Sequence, residues 1–340
     1  MSSRTAAAIG VTLLVISGAC GGRSGSPLAP ESPVAPVSSR VLQGQTRSAA
    51  DATNFAGVSV RLGTRQPTTS DDNGYFSIES DTAGTSTIEL TGPSIVDRKT
   101  DVRVPSDGVV KFGLIPSSFD LAAFNEMFRG SHDRLQRWTT APSLVVLTTV
   151  MKFENSESTS SLATDEVIPA GDVEAMIRDL TDALATLTGN TYTGFAQVTR
   201  ESTPAGSRTS TTRDGQIVVG RYRDLKTVSS IVGYGRWAER SDGTIVGGAV
   251  FLDSVYDAGR DRKLLRTHEL GHALGYKHVA SRPSVMNAVL GYDVTDFDRQ
   301  GALIAFQRPP GNRAPDIDPA ASGLRTTAEG GSVRWVSQVP

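Results

Sequence analysis

The stretch Thr267-His268-Glu269-Leu270-Gly271-His272-Ala273-Leu274-Gly275-Tyr276-Lys277-His278 decides how this sequence folds and what chemistry it holds. His268 and His272 are four positions apart, so a helix places both imidazoles on one face. Leu265, Leu270, Ala273 and Leu274 give that helix an apolar side, and the pattern predicts a helix from about Arg262 to Leu274. Gly275 ends it, because glycine reaches the left-handed conformation at little cost. The chain can then turn back and bring His278 to the same point. The sequence has four histidines, and three of them lie in this stretch. Three nitrogen ligands suit a zinc ion, held at about 2.0–2.1 Å, and leave its fourth position open, as in catalytic rather than structural sites. Glu269 adjoins the first ligand without being one, and is placed to take a proton from a water at the open position.

Downstream, Ser284-Val285-Met286-Asn287 follows His278, and Asp296–Phe306 has the spacing of a further helix. Together with the H-E-x-x-H-x-x-G-x-x-H pattern, these residues resemble the metzincin zinc metallopeptidases, with wording closest to the matrixin branch. The resemblance spans about 170 residues, and its specific part is 268–287. It implies Zn2+ bound by His268, His272 and His278, Glu269 as general base, Gly275 at the turn, and Met286 in a loop beneath the metal. It also implies that Asp296 or Asp298 braces that loop. In this clan an edge strand just before the zinc helix pairs with extended substrate, so Thr244–Asp253, with Gly247 and Gly248, is expected to form that edge. The sequence departs from the family in three ways. No propeptide cysteine is present to cap the metal, the acidic and histidine clusters of structural metal sites are missing, and Ala288 stands where some members carry a tyrosine ligand.

Working outward, residues 135–308 read as an α+β domain. Leu144–Leu147 is a continuous apolar run, and Val173, Met176, Ile177, Leu180, Leu184 and Leu187 form a helical stripe. Strands are expected at Gly194–Thr199, Gln216–Val219 and Thr244–Asp253, and a polar loop at Ser156–Ser161. Residues 116–134 read as a linker with helical spacing. Residues 41–115 show short alternating runs divided by turns such as Asp71-Asp72-Asn73-Gly74, the pattern of a small β-sandwich. The segment from Gly57 to Phe76 resembles the carboxypeptidase-regulatory-like sandwiches found as accessory modules on secreted enzymes. This sandwich is expected to be separable from the metal domain. Beyond Gln307 the chain turns polar and rich in Pro and Gly, and residues 309–340 are expected to be a poorly ordered tail.

The N-terminus reads as an export signal over residues 1–19. Arg4 supplies its charge, Ala6–Ile16 its apolar core, and Ser17, Gly18 and Ala19 its small residues. The run Ile16–Cys20 resembles a bacterial lipoprotein signal, which implies lipid attachment at Cys20 and a tether in the cell envelope. Simple secretion is the alternative, since Ser17 stands where that family prefers a branched residue. Residues 20–40, dominated by Gly, Ser and Pro, form an extended linker. Cys20 is the one cysteine, so no intrachain disulfide forms. Lys plus Arg (34) and Asp plus Glu (36) nearly balance, which excludes the basic footprint of a nucleic-acid binder. His132, Trp138 and Trp237 read as structural. The functional expectation is a zinc-dependent endopeptidase acting on protein or peptide substrates. The alternative is a catalytically inactive zinc-containing binding module or adhesin on the envelope, for which Glu269 would have no use.

Overall fold

The computed structural model of the protein describes residues 40–260, 262–320 and 333–337. The expected signal, Cys20 with nearly all of its linker, and part of the expected tail lie outside the described residues. The fold is mixed α+β, mostly sheet with a few helices.

Seven strands build the N-terminal sandwich: β1 (Val41–Ser48), β2 (Ser59–Leu62), β3 (Thr68–Thr69), β4 (Tyr75–Glu79), β5 (Gly84–Thr91), β6 (Arg98–Val104) and β7 (Val109–Leu114). One sheet has the order β4-β1-β7 and the other β3-β2-β5-β6. Leu42, Val60, Ile78, Ile88, Leu90 and Leu114 point inward from alternate positions and close the core between them. The Asp71–Gly74 turn forms because Asp71 Oδ1 accepts from the backbone N–H of Asn73 (2.9 Å) and Tyr75 (2.8 Å), and Gly74 takes φ +78. A short helix, α1 (Leu121–Phe124), continues into a wide turn at Asn125–Arg129 and leads to the second part.

That part is a nine-stranded sheet with helices against it. Its strands are β8 (Ser143–Leu147), β9 (Thr149–Lys152), β10 (Ser160–Val167), β11 (Val198–Glu201), β12 (Arg208–Ser210), β13 (Gln216–Arg223), β14 (Gly233–Glu239), β15 (Ile245–Asp253) and β16 (Arg334–Ser337). The helices are α2 (Ala170–Leu187), α3 (Leu225–Ser229), α4 (Arg262–Ala273) and α5 (Asp296–Phe306). β8, β11, β13 and β15 run parallel, and β14 returns antiparallel on β15. β13 is buried on both faces, which is why it reads as an unbroken run rather than an alternation. Helices α2 and α4 cover one face with Met176, Leu180, Leu184, Leu265 and Leu270. No helix among the described residues is long and apolar enough to cross a membrane.

Three expectations are corrected here. Ile245–Asp253 is not an edge strand: β15 pairs with β13 on one side and β14 on the other. The edge nearest α4 is β14, partly covered by β16 at Arg236–Glu239. The expected loop at Ser156–Ser161 ends in a strand, since Ser160 and Ser161 begin β10 and pair with β12. Residues 309–320 are not a loose tail. Asn312 and Asp316 are fully buried, because Asp316 receives Arg308 Nη2 at 2.7 Å and Asn312 Nδ2 at 3.0 Å.

The same loop clasps the sandwich. Arg98 of β6 reaches Asp316 at 3.4 Å and Asp318 at 2.8 Å, and Lys99 exchanges backbone hydrogen bonds with Asp316 and Asp318. Arg308 Nη2 donates to Gly113 O at 2.9 Å and Gln307 Nε2 to Ala49 O at 2.8 Å. A buried ionic seam of this kind argues against the expected separability of residues 41–115, since cutting it strands charges away from water.

Candidate metal centre

α4 runs Arg262–Ala273, one residue short of its expected end, and carries His268, Glu269 and His272, all buried. Its C-terminus closes as a Schellman motif. Gly275, at φ +97, donates to His272 O at 2.9 Å, and Tyr276 N donates to Gly271 O at 2.9 Å. A Cβ at Gly275 would stand 2.6 Å from Ile245 Cδ1, so the turn needs glycine for space as well as for φ. The reversal brings His278 back to the helix. Lys277 secures it: its backbone N–H donates to Met127 O at 2.8 Å, and its buried Nζ donates to Phe128 O and Gly275 O, both at 3.0 Å, and to Gln136 Oε1. Burial pulls the Lys277 ammonium down to about 7, against a smaller opposing pull from Glu239.

The three Nε2 atoms converge. His272 lies 3.1 Å from His268 and 3.1 Å from His278, and His278 lies 3.3 Å from His268. Ligands held tetrahedrally at zinc–nitrogen distance are about 3.3 Å apart, so this triangle has the size of one face of such a site. The outer nitrogens explain its orientation. His268 Nδ1 faces Val285 O and His272 Nδ1 faces Tyr276 O, each at 2.8 Å. A carbonyl only accepts, so each Nδ1 carries the proton and each of these Nε2 atoms holds a bare lone pair. Lone pairs 3.1 Å apart repel, and a cation at their centre converts that repulsion into ligation. Burial pushes His268 down to about 4, and burial with the neighbouring imidazoles lowers His272 well below the usual histidine value. His278 is lowered by burial. All are therefore neutral at neutral pH, the form that binds metal. Among the described residues, these three form the group of His, Cys, Asp or Glu side chains that could share an ion.

Met286 lies directly beneath this helix. A Cβ on Gly271 would stand 2.5 Å from Met286 Sδ, so the loop packs where the helix has no side chain. Of the two candidate braces, the structure selects Asp298. It accepts from Ser284 Oγ (2.5 Å) and Val285 N (3.1 Å), and with Thr295 it forms the capping box that starts α5. Asp296 is exposed. Met286 O in turn accepts from Val279 N at 2.9 Å, joining the loop to the strand of chain that carries His278.

Glu269 is enclosed by β14. A Cβ on Gly233 would come within 2.2 Å of its Oε1, and a Cβ on Gly235 within 2.3 Å of its backbone oxygen and 2.5 Å of His272 Cβ. Burial raises its carboxyl well above the usual carboxylate range, opposed by the Gly235 backbone N–H. Beneath the helix, Arg266 holds both oxygens of buried Asp257 at 2.7 Å and Asp179 at 2.8 Å, while Arg221 reaches Asp257 at 2.6 Å and Asp172 at 2.9 Å. Beside His278 a groove opens, lined by Val279, Ala280, Val289, Leu290 and Tyr292. Sequence reading did not find Gly233, Gly235, Lys277 or the Arg266 network. Paired small residues before Arg236 were the available signal for the glycines.

No protein-family model and no curated protein sequence matches this chain. Among solved structures, it is similar to a chain of a type II cohesin–X-dockerin complex from Acetivibrio cellulolyticus, at 27% identity over 21% of this chain and 51% of that one, with TM-score 0.18. A second such complex gives 25% identity, 24% and 58% coverage and TM-score 0.20. The Bacillus anthracis TIE protein gives 8% identity over 62% of this chain and 41% of its own, also at TM-score 0.20. The chain thus spans about half the length of the cohesin–dockerin chains, and overlaps at these scores carry no argument about fold or function.

Proposed function

We propose that this chain is an exported zinc endopeptidase of the metzincin type, resembling the matrixin branch, with His268, His272 and His278 as ligands and Glu269 as general base. The observation that carries this reading is the triangle of Nε2 atoms at 3.1–3.3 Å with a buried carboxylate on the same helix. Bound zinc supplies Lewis-acid polarisation and lowers the pKa of water toward about 7. The chain's own residues do the rest. His268 and His272 are fixed in tautomer by Val285 O and Tyr276 O, so they meet the ion without reorganising. Glu269, beside ligand His268 on the same helix, is placed to take a proton from the attacking water and return it to the departing amine. Among the described residues β16 pairs only with Arg236–Glu239, so Gly233–Gly235, which runs past Glu269, has no strand partner on that side, and an extended polypeptide would add there as a strand. The same reading includes attachment of lipid at Cys20, which incorporation of a fatty-acid probe tests directly.

The deciding experiment is Glu269→Gln. It keeps the shape and removes the base. Zinc content and melting are expected to stay near wild type while peptide cleavage falls at least about a hundredfold. Turnover within about threefold of wild type sinks the assignment. A wild-type chain that holds zinc tightly and cleaves nothing in a peptide library points instead to the inactive binding module.

A further inference from the structure

β16 lies on the half of β14 that continues away from Glu269. Its register is antiparallel: Ser337 opposite Arg236, Val336 opposite Trp237, Trp335 opposite Ala238, and Arg334 opposite Glu239. Side chains reinforce the ladder. The Arg236 guanidinium carbon sits 4.8 Å from the Trp335 ring centroid. Arg236 is itself buried and fixed, donating to Ser156 O at 2.9 Å, Ser158 O at 2.7 Å and Thr211 Oγ1 at 3.0 Å. The indole packs over Gly247, where a Cβ would stand 3.4 Å from it, an ordinary contact distance. Arg334 reaches buried Glu239 at 3.4 Å and also contacts His132. The clasp is nevertheless short. Trp335 and Val336 are only half-buried and Arg334 is exposed, so the segment is held at one edge rather than built into the core.

We propose that residues 333–337 are a displaceable strap that occupies one end of the polypeptide-binding edge and so regulates which substrates reach it; this rests on the peptidase reading above. A strand entering antiparallel to β14 at Gly233–Gly235 has its N-terminal side directed toward Arg236, where Ser337 already pairs. With the strap docked, the edge accepts only a short stretch on the N-terminal side of the bond beside Glu269. With the strap displaced, Arg236–Glu239 becomes available, and a long extended chain gains ladder hydrogen bonds and the Arg236 face that Trp335 now covers. The tethered strap competes at high effective concentration, so it discriminates against long substrates without blocking short ones.

The test locks and releases the strap in the full chain. Ala238 and Trp335 are directly opposite, a placement that suits a disulfide. Ala238→Cys with Trp335→Cys, in a Cys20→Ser background, holds the strap when oxidised and frees it without its indole anchor when reduced. Two fluorogenic peptides share one cleavable centre, a long one extending far on its N-terminal side and a short one ending just before it. The reduced protein is expected to cleave the long peptide at least about tenfold faster than the oxidised protein, with the short peptide unaffected. Trp335→Ala alone moves in the same direction. Equal effects on both peptides, or no effect of the lock on the long one, overturn the proposal, as does failure of the disulfide to form. A second readout needs no turnover. In the Glu269→Gln background, a fluorescein-labelled form of the long peptide is expected to bind the reduced protein more tightly, and equal affinity overturns the strap. If no peptide is cleaved in any state, the peptidase reading falls, and this binding measurement still decides the strap.

Discussion

Replacing Asp298 separates its roles as a cap and as a brace for the loop that holds His268. Its carboxylate is fully buried and accepts four hydrogen bonds: Ser284 Oγ at 2.5 Å, Val285 N at 3.1 Å, Thr295 N at 2.7 Å and Thr295 Oγ1 at 2.8 Å. Asp298→Ala removes the α5 cap box, at about 1 kcal/mol. It also orphans the buried Val285 N–H and Ser284 hydroxyl, at about 1–3 kcal/mol each. The sum, allowing for relaxation, is a loss of about 3–5 kcal/mol. Asp298→Asn keeps an acceptor for the two backbone N–H groups and loses mainly the charge assistance, so about 1–2 kcal/mol. The candidate metal site is linked to both changes through Val285, whose carbonyl orients His268. Loss of such a support typically lowers metal affinity 10–100-fold. The assay is urea unfolding and zinc competition against a chelator for wild type, Asn and Ala, with stability and affinity expected to fall in that order. An alanine variant within about 1 kcal/mol of wild type that keeps its zinc affinity refutes the brace.

Gly233→Ala places a methyl 2.2 Å from Glu269 Oε1. The carboxylate has to move by about 1 Å, so kcat is expected to drop about a hundredfold with zinc content retained, and wild-type kcat would show that Glu269 is not held by β14. Lys277→Met leaves the Phe128 and Gly275 carbonyls without their donor. It is expected to cost about 2–3 kcal/mol and to weaken zinc binding, read by melting and by chelator competition, and an unchanged midpoint excludes the clamp. Arg98→Met breaks a buried charge seam and is expected to cost about 3–5 kcal/mol in urea unfolding while a folded fraction still binds zinc. A loss below about 1 kcal/mol would mean that the sandwich is held by something else.

The centre of the molecule was legible because its pattern is local. Histidines four apart on an amphipathic helix, a glycine just past its end and the Thr295–Asp298 capping box each act within a turn or two, so α4 and α5 lie within a residue of the bounds expected from the sequence. What escaped was set by distant partners. β14 contains Arg236 and Glu239, which look like solvated charges, yet both are buried because the Ser156 and Ser158 carbonyls accept from Arg236 and the Trp237 indole donates to Glu239. Asn312 and Asp316 look like loop residues for the same reason, until Arg98 and Arg308 are brought to Asp316 and Asn312 donates to it. The misplacement of β15 has another cause. Its residues fit a strand equally well at an edge or inside, and the order of strands in a sheet depends on crossovers that local periodicity does not encode.

Arg98 and Asp316 are separated by 218 positions, and Arg98 and Asp318 by 220. A chain delivered N-terminus first therefore presents β1–β15 and all three imidazoles before the residues that clasp the two parts together. Until Asp316 and Asp318 arrive, Arg98 and Arg308 have no carboxylate to receive them, and burying them would leave bare charge. Closing so long a loop is slow and comes late. The order of synthesis thus makes the final clasp a timer. A chain that stops before Asp316 lacks the carboxylates that Arg98 and Arg308 require, so its seam stays unpaired.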